Sequence, residues 1–164
     1  MYLSLEAKAA RMVKQGQYSE AAQVLAGRIG TREKGSVAIL NLMAVCKAKL
    51  GQLYEAKTIL KQLDHEYPGN PRVLNNLGNM ALLEGDASTA LKLYKEAVKL
   101  SPWSSEPRFN MFLAYRELGE VEKSLCSYHE FVLIKRISYL SKVLVGGALL
   151  AAAAALIHAW LMHP

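Results

Sequence analysis

The chain has 164 residues, of which 52% are hydrophobic and 21% are charged, and its formal net charge is +6. This composition excludes a disordered tail and a collagen-like chain. The two cysteines, Cys46 and Cys126, are too few for a disulfide framework, and they lack the spacing of a zinc site. Residues 1–134 hold only half of the net charge, with acidic and basic side chains interleaved.

Four glycines recur at a nearly constant period along the first four fifths of the chain. They are Gly16, Gly51, Gly85 and Gly119, at intervals of 35, 34 and 34 residues. Five positions after each glycine comes a small residue, namely Ala21, Ala56, Ala90 and Ser124. Glycine permits the left-handed conformation that ends a helix, and a small residue lets the next helix pack closely. The pattern predicts helices over 2–15, 18–29, 36–50, 53–66, 71–84, 87–100, 105–118 and 121–136.

The helical unit at 71–104 carries the most complete set of periodic residues: Leu74, Leu77, Gly78, Ala90, Tyr94, Ala97 and Pro102. This set resembles the signature of the tetratricopeptide repeat (TPR) family, whose period is 34 residues. Units at about 2–35, 37–70 and 105–138 match it less fully. The resemblance implies an all-α fold in which about four TPR units form a superhelix over residues 1–136.

The C-terminal segment 143–162 contains no formally charged residue. As a helix its 20 residues would span about 30 Å, which is the thickness of the hydrocarbon core of a bilayer. We therefore expect one transmembrane helix over 143–162, preceded by a basic juxtamembrane join at 137–142 and followed by a short tail at 163–164. The last repeat helix is expected to run almost continuously into this span.

Basic residues flank only the N-terminal side of the predicted span, and these are Lys135, Arg136 and Lys142. Because positive charge stays in the cytoplasm, the bulk of the chain is expected there, in a single-pass, tail-anchored arrangement. The N-terminus has no signal-peptide pattern. A bacterial inner membrane is the favoured location, with the mitochondrial outer membrane as the alternative.

A stripe of small residues recurs every four positions along the predicted span: Gly147, Ala151, Ala155 and Ala159. Small residues at this spacing let two helices approach closely in a membrane, so the stripe is a candidate surface for homo-oligomerisation. An alanine-rich span also produces such a stripe by chance.

No motif for catalysis or for cofactor binding occurs in the sequence. A nucleophile elbow and a phosphate-binding glycine loop are both missing. His65 and His129 are expected at the surface, and Cys46 and Cys126 are expected to be buried or half-buried on repeat helices. Neither a cofactor nor a metal nor nucleic acid is predicted as a ligand, and the chain is not expected to be an enzyme.

The resemblance implies a concave groove lined by the first helix of each repeat. In this chain it would present Asn41, Val45, Lys49, Arg72, Asn75, Asn76, Asn79, Leu83, Phe109, Asn110, Leu113 and Arg116. Asn76 and Asn110 lie one period apart, at a position where some family members hold the backbone of an extended peptide. A carboxamide suits this role because it both donates and accepts hydrogen bonds. These asparagines are equally compatible with a surface that binds nothing.

The preferred interpretation is a non-enzymatic, membrane-anchored TPR adaptor or scaffold that recruits a cytoplasmic protein or peptide. By resemblance, it would serve the assembly of a bacterial envelope or secretion complex. The alternatives are a tail-anchored adaptor of the mitochondrial fission type and a TPR chaperone of secretion substrates. The expected partners are a protein or peptide in the groove, membrane lipid, and a second copy through the membrane helix.

Overall fold

The computed structural model describes residues 4–29 and 36–162, with side chains described up to residue 149 and not for residues 28–29. The described part contains eight α-helices and no strand. In chain order they are α1 (Leu5–Lys14), α2 (Tyr18–Ile29), α3 (Val37–Lys49), α4 (Leu53–Glu66), α5 (Pro71–Leu83), α6 (Ala87–Leu100), α7 (Glu106–Glu117) and α8 (Val121–Met162).

Each of the four periodic glycines ends the first helix of a pair. Their φ angles lie between 73° and 81°, in the left-handed region that costs glycine little. At Gly85 the amides of Gly85 and Asp86 donate to the carbonyls of Leu82 and Ala81, and the same pair of hydrogen bonds recurs at the other three turns. This is the Schellman arrangement, so the predicted helix–turn–helix units are confirmed.

Side-chain caps fix where several of the helices begin. The side chains of Ser4, Ser36, Asn70 and Asp86 accept hydrogen bonds from backbone amides in the first turns of α1, α3, α5 and α6. Pro71 occupies the first turn of α5, where a missing amide hydrogen leaves no helical bond unmade.

The helices stack in sequence, and each repeat contacts the next one. The first helix of a repeat packs on both helices of the preceding repeat, so α5 contacts α3 and α4, and α7 contacts α5 and α6. In the described residues the core consists of three buried clusters along the array, and Ile59 packs against two of them. Ala21, Ala56 and Ala90 are fully buried and Ser124 nearly so, at the positions where the small residues recur. This nearest-neighbour packing is the expected construction of a repeat array.

The last helix, α8, is much longer than the others. It contains 42 residues and continues through 137–142 without interruption. Within the described residues, no helix is both long enough and apolar enough to cross a membrane. The transmembrane helix predicted over 143–162 is therefore unsupported.

Several sequence predictions fall outside the described side chains. They concern Ala151, Ala155 and Ala159 of the small-residue stripe, the tail at 163–164, and the ends of the first repeat at 1–3 and 30–35. Gly147, the described member of the stripe, is exposed, and a Cβ added to it would meet nothing within 4 Å.

Candidate functional site: a concave groove above an asparagine ladder

A concave groove of about 600 Å³ runs across the first helices of the second, third and fourth repeats. Its walls come from α3, α5 and α7, which the repeat stacking places side by side, and Leu60 of α4 also contributes. Most of the lining side chains are apolar: Ala44, Val45, Ala48, Leu60, Met80, Leu82, Leu83, Phe109 and Leu113. Lys49 and Glu106 contribute charge, and three asparagines contribute carboxamides.

Five asparagines form a hydrogen-bonded ladder at the floor of this groove, and three of them are among its lining residues. Asn76 Nδ2 donates to Asn41 Oδ1 over 2.9 Å, which joins α5 to α3. Asn110 Nδ2 donates to Asn75 Oδ1 and to Asn79 Oδ1, each over 2.9 Å, which joins α7 to α5. Asn79 Nδ2 in turn lies 3.4 Å from Asn76 Oδ1. The carboxamides therefore bind the stacked helices to one another.

Burial accompanies these hydrogen bonds. Asn41, Asn75 and Asn76 are at most 9% exposed, so they lie largely beneath the surface that the sequence predicted them to present. The physical reason is that a buried carboxamide loses its hydration unless it is paired, and the asparagine one period away supplies the pairing. Asn79 and Asn110 remain half-buried and line the groove.

Tyr94 closes the ladder from the second helix of its repeat. Its hydroxyl donates to Asn79 Oδ1 over 2.8 Å, so that Asn79 Oδ1 accepts two hydrogen bonds. The Tyr94 side chain is fully buried. Desolvation, together with the nearby charge of Glu106, raises the pKa of Tyr94 far above its ordinary value, so the phenol is neutral.

The remaining predicted groove residues fall in three places. Lys49 and Phe109 line the groove together with Val45, Leu83 and Leu113. Arg72 lies beside Asn41 in a separate, smaller hollow at the start of α3 and α5. Arg116 lies in the last turn of α7, and its guanidinium is 5.6 Å from the centroid of the Phe112 ring.

An aromatic cluster at the end of the array was missed by the sequence reasoning. Phe109 and Phe112 of α7 pack against Tyr128 and Phe131 of α8, with ring centroids 5.2–6.0 Å apart. Phe109 occupies the repeat position that holds Asn41 and Asn75 in the two preceding repeats. In the sequence, this change from asparagine to phenylalanine was the signal that could have indicated the aromatic cluster.

The two cysteines differ in their surroundings. Cys46 is fully buried, and desolvation raises the pKa of its thiol. Cys126 is exposed, so the prediction that both thiols are buried or half-buried was wrong for this one. Cys126 lies on α8, which is the last helix of the described chain, so no later helix covers it. Within the described residues no group of three or more His, Cys, Asp or Glu side chains is placed to hold a metal ion.

Comparison with known proteins agrees with this fold. Residues 12–77 match a tetratricopeptide repeat family model. No curated protein matches the sequence significantly. The described helices and their stacking have the TPR architecture.

Three solved structures illustrate the likeness. TTC0263, a thermophilic TPR protein of Thermus thermophilus, superposes with a TM-score of 0.71 at 19% identity, over 78% of this chain and 71% of that one. MamA from Desulfovibrio magneticus RS-1 gives a TM-score of 0.63 at 14% identity, over 80% and 74% of the two chains. The anaphase-promoting complex hetero-tetramer Cut9–Hcn1 gives 0.71 at 20% identity, over 79% of this chain but 26% of that one. At these identities the likeness concerns the fold alone.

Proposed function

We propose that this chain is a non-enzymatic TPR scaffold whose concave groove binds a segment of a partner protein. The observation that carries the proposal is the open groove of about 600 Å³ that α3, α5 and α7 line together with Leu60 of α4. Leu83 and Phe109 are 62% and 37% exposed at this surface, although each is large and apolar. Apolar side chains grouped in a concavity are typical of a site for a protein or peptide ligand.

The hydrogen bonds of the ladder indicate which kind of side chain the groove would bind. Asn76 and Asn110 already donate to other asparagines, so the groove offers apolar contact area more than free amide donors. A ligand segment that inserts a leucine or phenylalanine side chain between Leu83 and Leu113 fits this lining. Lys49 would add a favourable contact to an acidic residue beside that anchor.

Two matched variants test the groove. Leu83→Glu places a charge in the groove, whereas Leu100→Glu places the same charge on α6, at a leucine that is 49% exposed and does not line the groove. Each full-length chain is used to capture proteins from native membranes solubilised in detergent, and the captured proteins are quantified by mass spectrometry. We expect a partner whose recovery falls at least tenfold with Leu83→Glu and stays within twofold with Leu100→Glu. Equal recovery of every captured protein with the unaltered chain, Leu83→Glu and Leu100→Glu would contradict the proposal.

We further propose that the C-terminal part of α8 tethers this scaffold to a membrane. The support is the uncharged sequence 143–162 and the exposure of Val143, Leu144, Val145 and Leu149. The three basic residues before it favour a cytoplasmic position for the repeats. Such a scaffold would suit a bacterial envelope or secretion assembly at the inner membrane.

Membrane extraction with alkaline carbonate tests the tether. We expect the full chain to stay in the membrane pellet and a variant with Leu144→Arg and Leu149→Arg to move to the supernatant, because each arginine opposes insertion. Protease added outside sealed, right-side-out vesicles should then leave the repeats intact. Release of the unaltered chain by carbonate would overturn the tether while leaving the groove proposal untouched.

A further inference from the structure

The helix α8 extends well beyond the one helix of the described chain that covers it. At 1.5 Å per residue its 42 residues span about 63 Å, whereas the 12 residues of α7 span about 18 Å. The side-chain contacts between the two helices reach Glu130 and Phe131, which meet Arg108 and Phe109 near the start of α7. From residue 135 to residue 145 every described side chain is exposed.

An apolar seam runs along this uncovered part of α8. It consists of Leu133, Ile137, Leu140 and Leu144, which are 57%, 41%, 49% and 73% exposed. Their spacings of four, three and four residues are those of the a and d positions of a heptad repeat. On a helix these positions form one stripe, so the seam is a continuous surface that nothing in the described chain covers.

The residues of the seam match a second copy of the same helix. Ile137 and Leu144 fall at a positions, and Leu133 and Leu140 fall at d positions. Isoleucine at a with leucine at d, as in Ile137 and Leu140, favours two parallel strands. Lys135 and Lys142 fall seven residues apart at the f position, on the side opposite the seam. This is where a two-stranded coiled coil keeps its charges in water.

The charge beside the seam also permits self-pairing. Arg136 falls at the g position, and in a parallel, in-register pair this residue lies next to the e position of the following heptad on the other strand. That position is Ser141. The pairing therefore brings no like charges together at these positions, and it begins where α8 extends beyond α7.

We propose that two copies of this chain associate through a parallel, in-register coiled coil formed by Leu133, Ile137, Leu140 and Leu144 of α8. This proposal goes beyond the groove and the tether, because neither requires a second copy. A pair joined in this way carries two grooves on one stalk. A ligand with two binding segments would then be held more firmly than by a single chain.

Disulfide cross-linking tests the register of the seam in the full-length chain. The background carries Cys126→Ser to remove the exposed thiol, and Cys46 is kept because it is fully buried. Leu140→Cys places a thiol at a d position, whereas Ser138→Cys places one at the b position on the far side. Both chains are purified in mild detergent and oxidised with copper phenanthroline.

We expect Leu140→Cys to form at least tenfold more disulfide-linked dimer than Ser138→Cys, because a disulfide needs Cα atoms within about 7 Å. Equal cross-linking of the two variants would indicate random collision and would overturn the proposal. Failure of both to cross-link would overturn it as well.

The mass of the assembly gives a second readout. In sedimentation equilibrium we expect the unaltered chain to associate as a dimer and Leu140→Glu to raise its dissociation constant at least tenfold. Tyr139 lies at an exposed c position next to Leu140, and Tyr139→Glu should change the dissociation constant of the dimer by less than threefold. A chain that sediments at the mass of one copy at all concentrations would contradict the coiled coil, as would equal effects of the two glutamates.

Discussion

At the scale of single residues, the tightest constraint lies between Gly78 and Tyr94. A Cβ built on Gly78 would lie 2.5 Å from Tyr94 Cε1 and 2.8 Å from Tyr94 Cδ1, which is closer than van der Waals contact allows. The Tyr94 ring has little room to move, because it is fully buried and its hydroxyl is bonded to Asn79. The glycine of the repeat signature is thus explained here by the close approach of α5 and α6.

Replacing Gly78 with alanine should therefore destabilise the repeats. We expect Gly78→Ala to lower the free energy of unfolding by about 1–3 kcal/mol, the usual cost of overpacking a core, as measured by urea denaturation. Gly27→Ala is the control, because a Cβ at Gly27 meets nothing within 4 Å. This second change should leave stability unaltered or raise it by up to about 1 kcal/mol. Equal losses from both variants would show that the contact with Tyr94 is unimportant.

Tyr94 also predicts a pH dependence of stability. The folded state keeps this phenol protonated well above pH 10, whereas in the unfolded chain the pKa is near its ordinary value of 10. Its stabilising contribution is therefore complete below pH 10 and is lost as the pH rises, because the unfolded state releases a proton that the folded state retains.

This dependence is measured by comparing the protein with its Tyr94→Phe variant. At pH 8 we expect the variant to be less stable by about 0.5–1.5 kcal/mol, because the hydrogen bond to Asn79 is lost. Between about pH 10.5 and 11.5 the unaltered protein should lose about 1.2 kcal/mol of stability relative to the variant, so that by pH 11.5 the variant is the more stable of the two. Curves that stay parallel over this range would contradict the neutral, buried state of Tyr94.

At the scale of helices, the ladder makes neighbouring repeats depend on each other. Asn41 and Asn76 come from different repeats, and both are buried. Removing one partner leaves the other with an unpaired carboxamide in the core, whereas removing both leaves no unpaired group from this hydrogen bond.

We accordingly predict non-additive effects of substitutions at these two asparagines. In a double-mutant cycle, Asn41→Ala and Asn76→Ala should show a coupling free energy of about 0.5–1.5 kcal/mol in urea denaturation. The control cycle combines Asn41→Ala with Asp86→Ala, which removes the cap of α6 and makes no contact with Asn41. That pair should be additive within about 0.5 kcal/mol. If the coupling free energy between Asn41→Ala and Asn76→Ala were no larger than that of the control cycle, the ladder would be excluded as a link between repeats.

The helices were more predictable from the sequence than the groove. Between α3 and α7 the predicted bounds agree with the structure to within one residue, because glycine and capping side chains mark the ends locally. The ladder could not be predicted in this way. Asn76 was expected to face a ligand, and its bond to Asn41 depends on the distance between two helices, which no local pattern specifies. The exposure of Cys126 was missed for the same reason, since it depends on the absence of a covering helix in the described chain.

At the scale of the whole molecule, the repeats and the free part of α8 are structurally separate. The described side chains from residue 135 to residue 145 are exposed and add nothing to the buried clusters. The aromatic cluster of Phe109, Phe112, Tyr128 and Phe131 closes the array before this point.

A chain that ends at Arg136 should consequently fold and remain soluble. We expect its free energy of unfolding to match that of the repeats in the full chain within about 1 kcal/mol, with a helical circular dichroism spectrum and a cooperative transition. A shorter chain that ends at Cys126 lacks Tyr128 and Phe131, and we expect a loss of at least about 3 kcal/mol, comparable to truncation of large core side chains. An insoluble or unfolded product from the longer chain would mean that residues 137–164 belong to the core.

The phenylalanine that ends the ladder also limits how such an array could lengthen by gene duplication. Suppose that a second copy of residues 71–104 were inserted after position 104. The copied Asn76 would donate to Asn75, and the copied Asn75 would accept from Asn110, so every hydrogen bond of the ladder would remain paired. A second copy of residues 105–138 would instead bring an asparagine donor against Phe109, which has no acceptor. New repeats can therefore enter the middle of this array with every hydrogen bond of the ladder kept, whereas tandem duplication of its last repeat leaves the amide of the copied Asn110 without its acceptor.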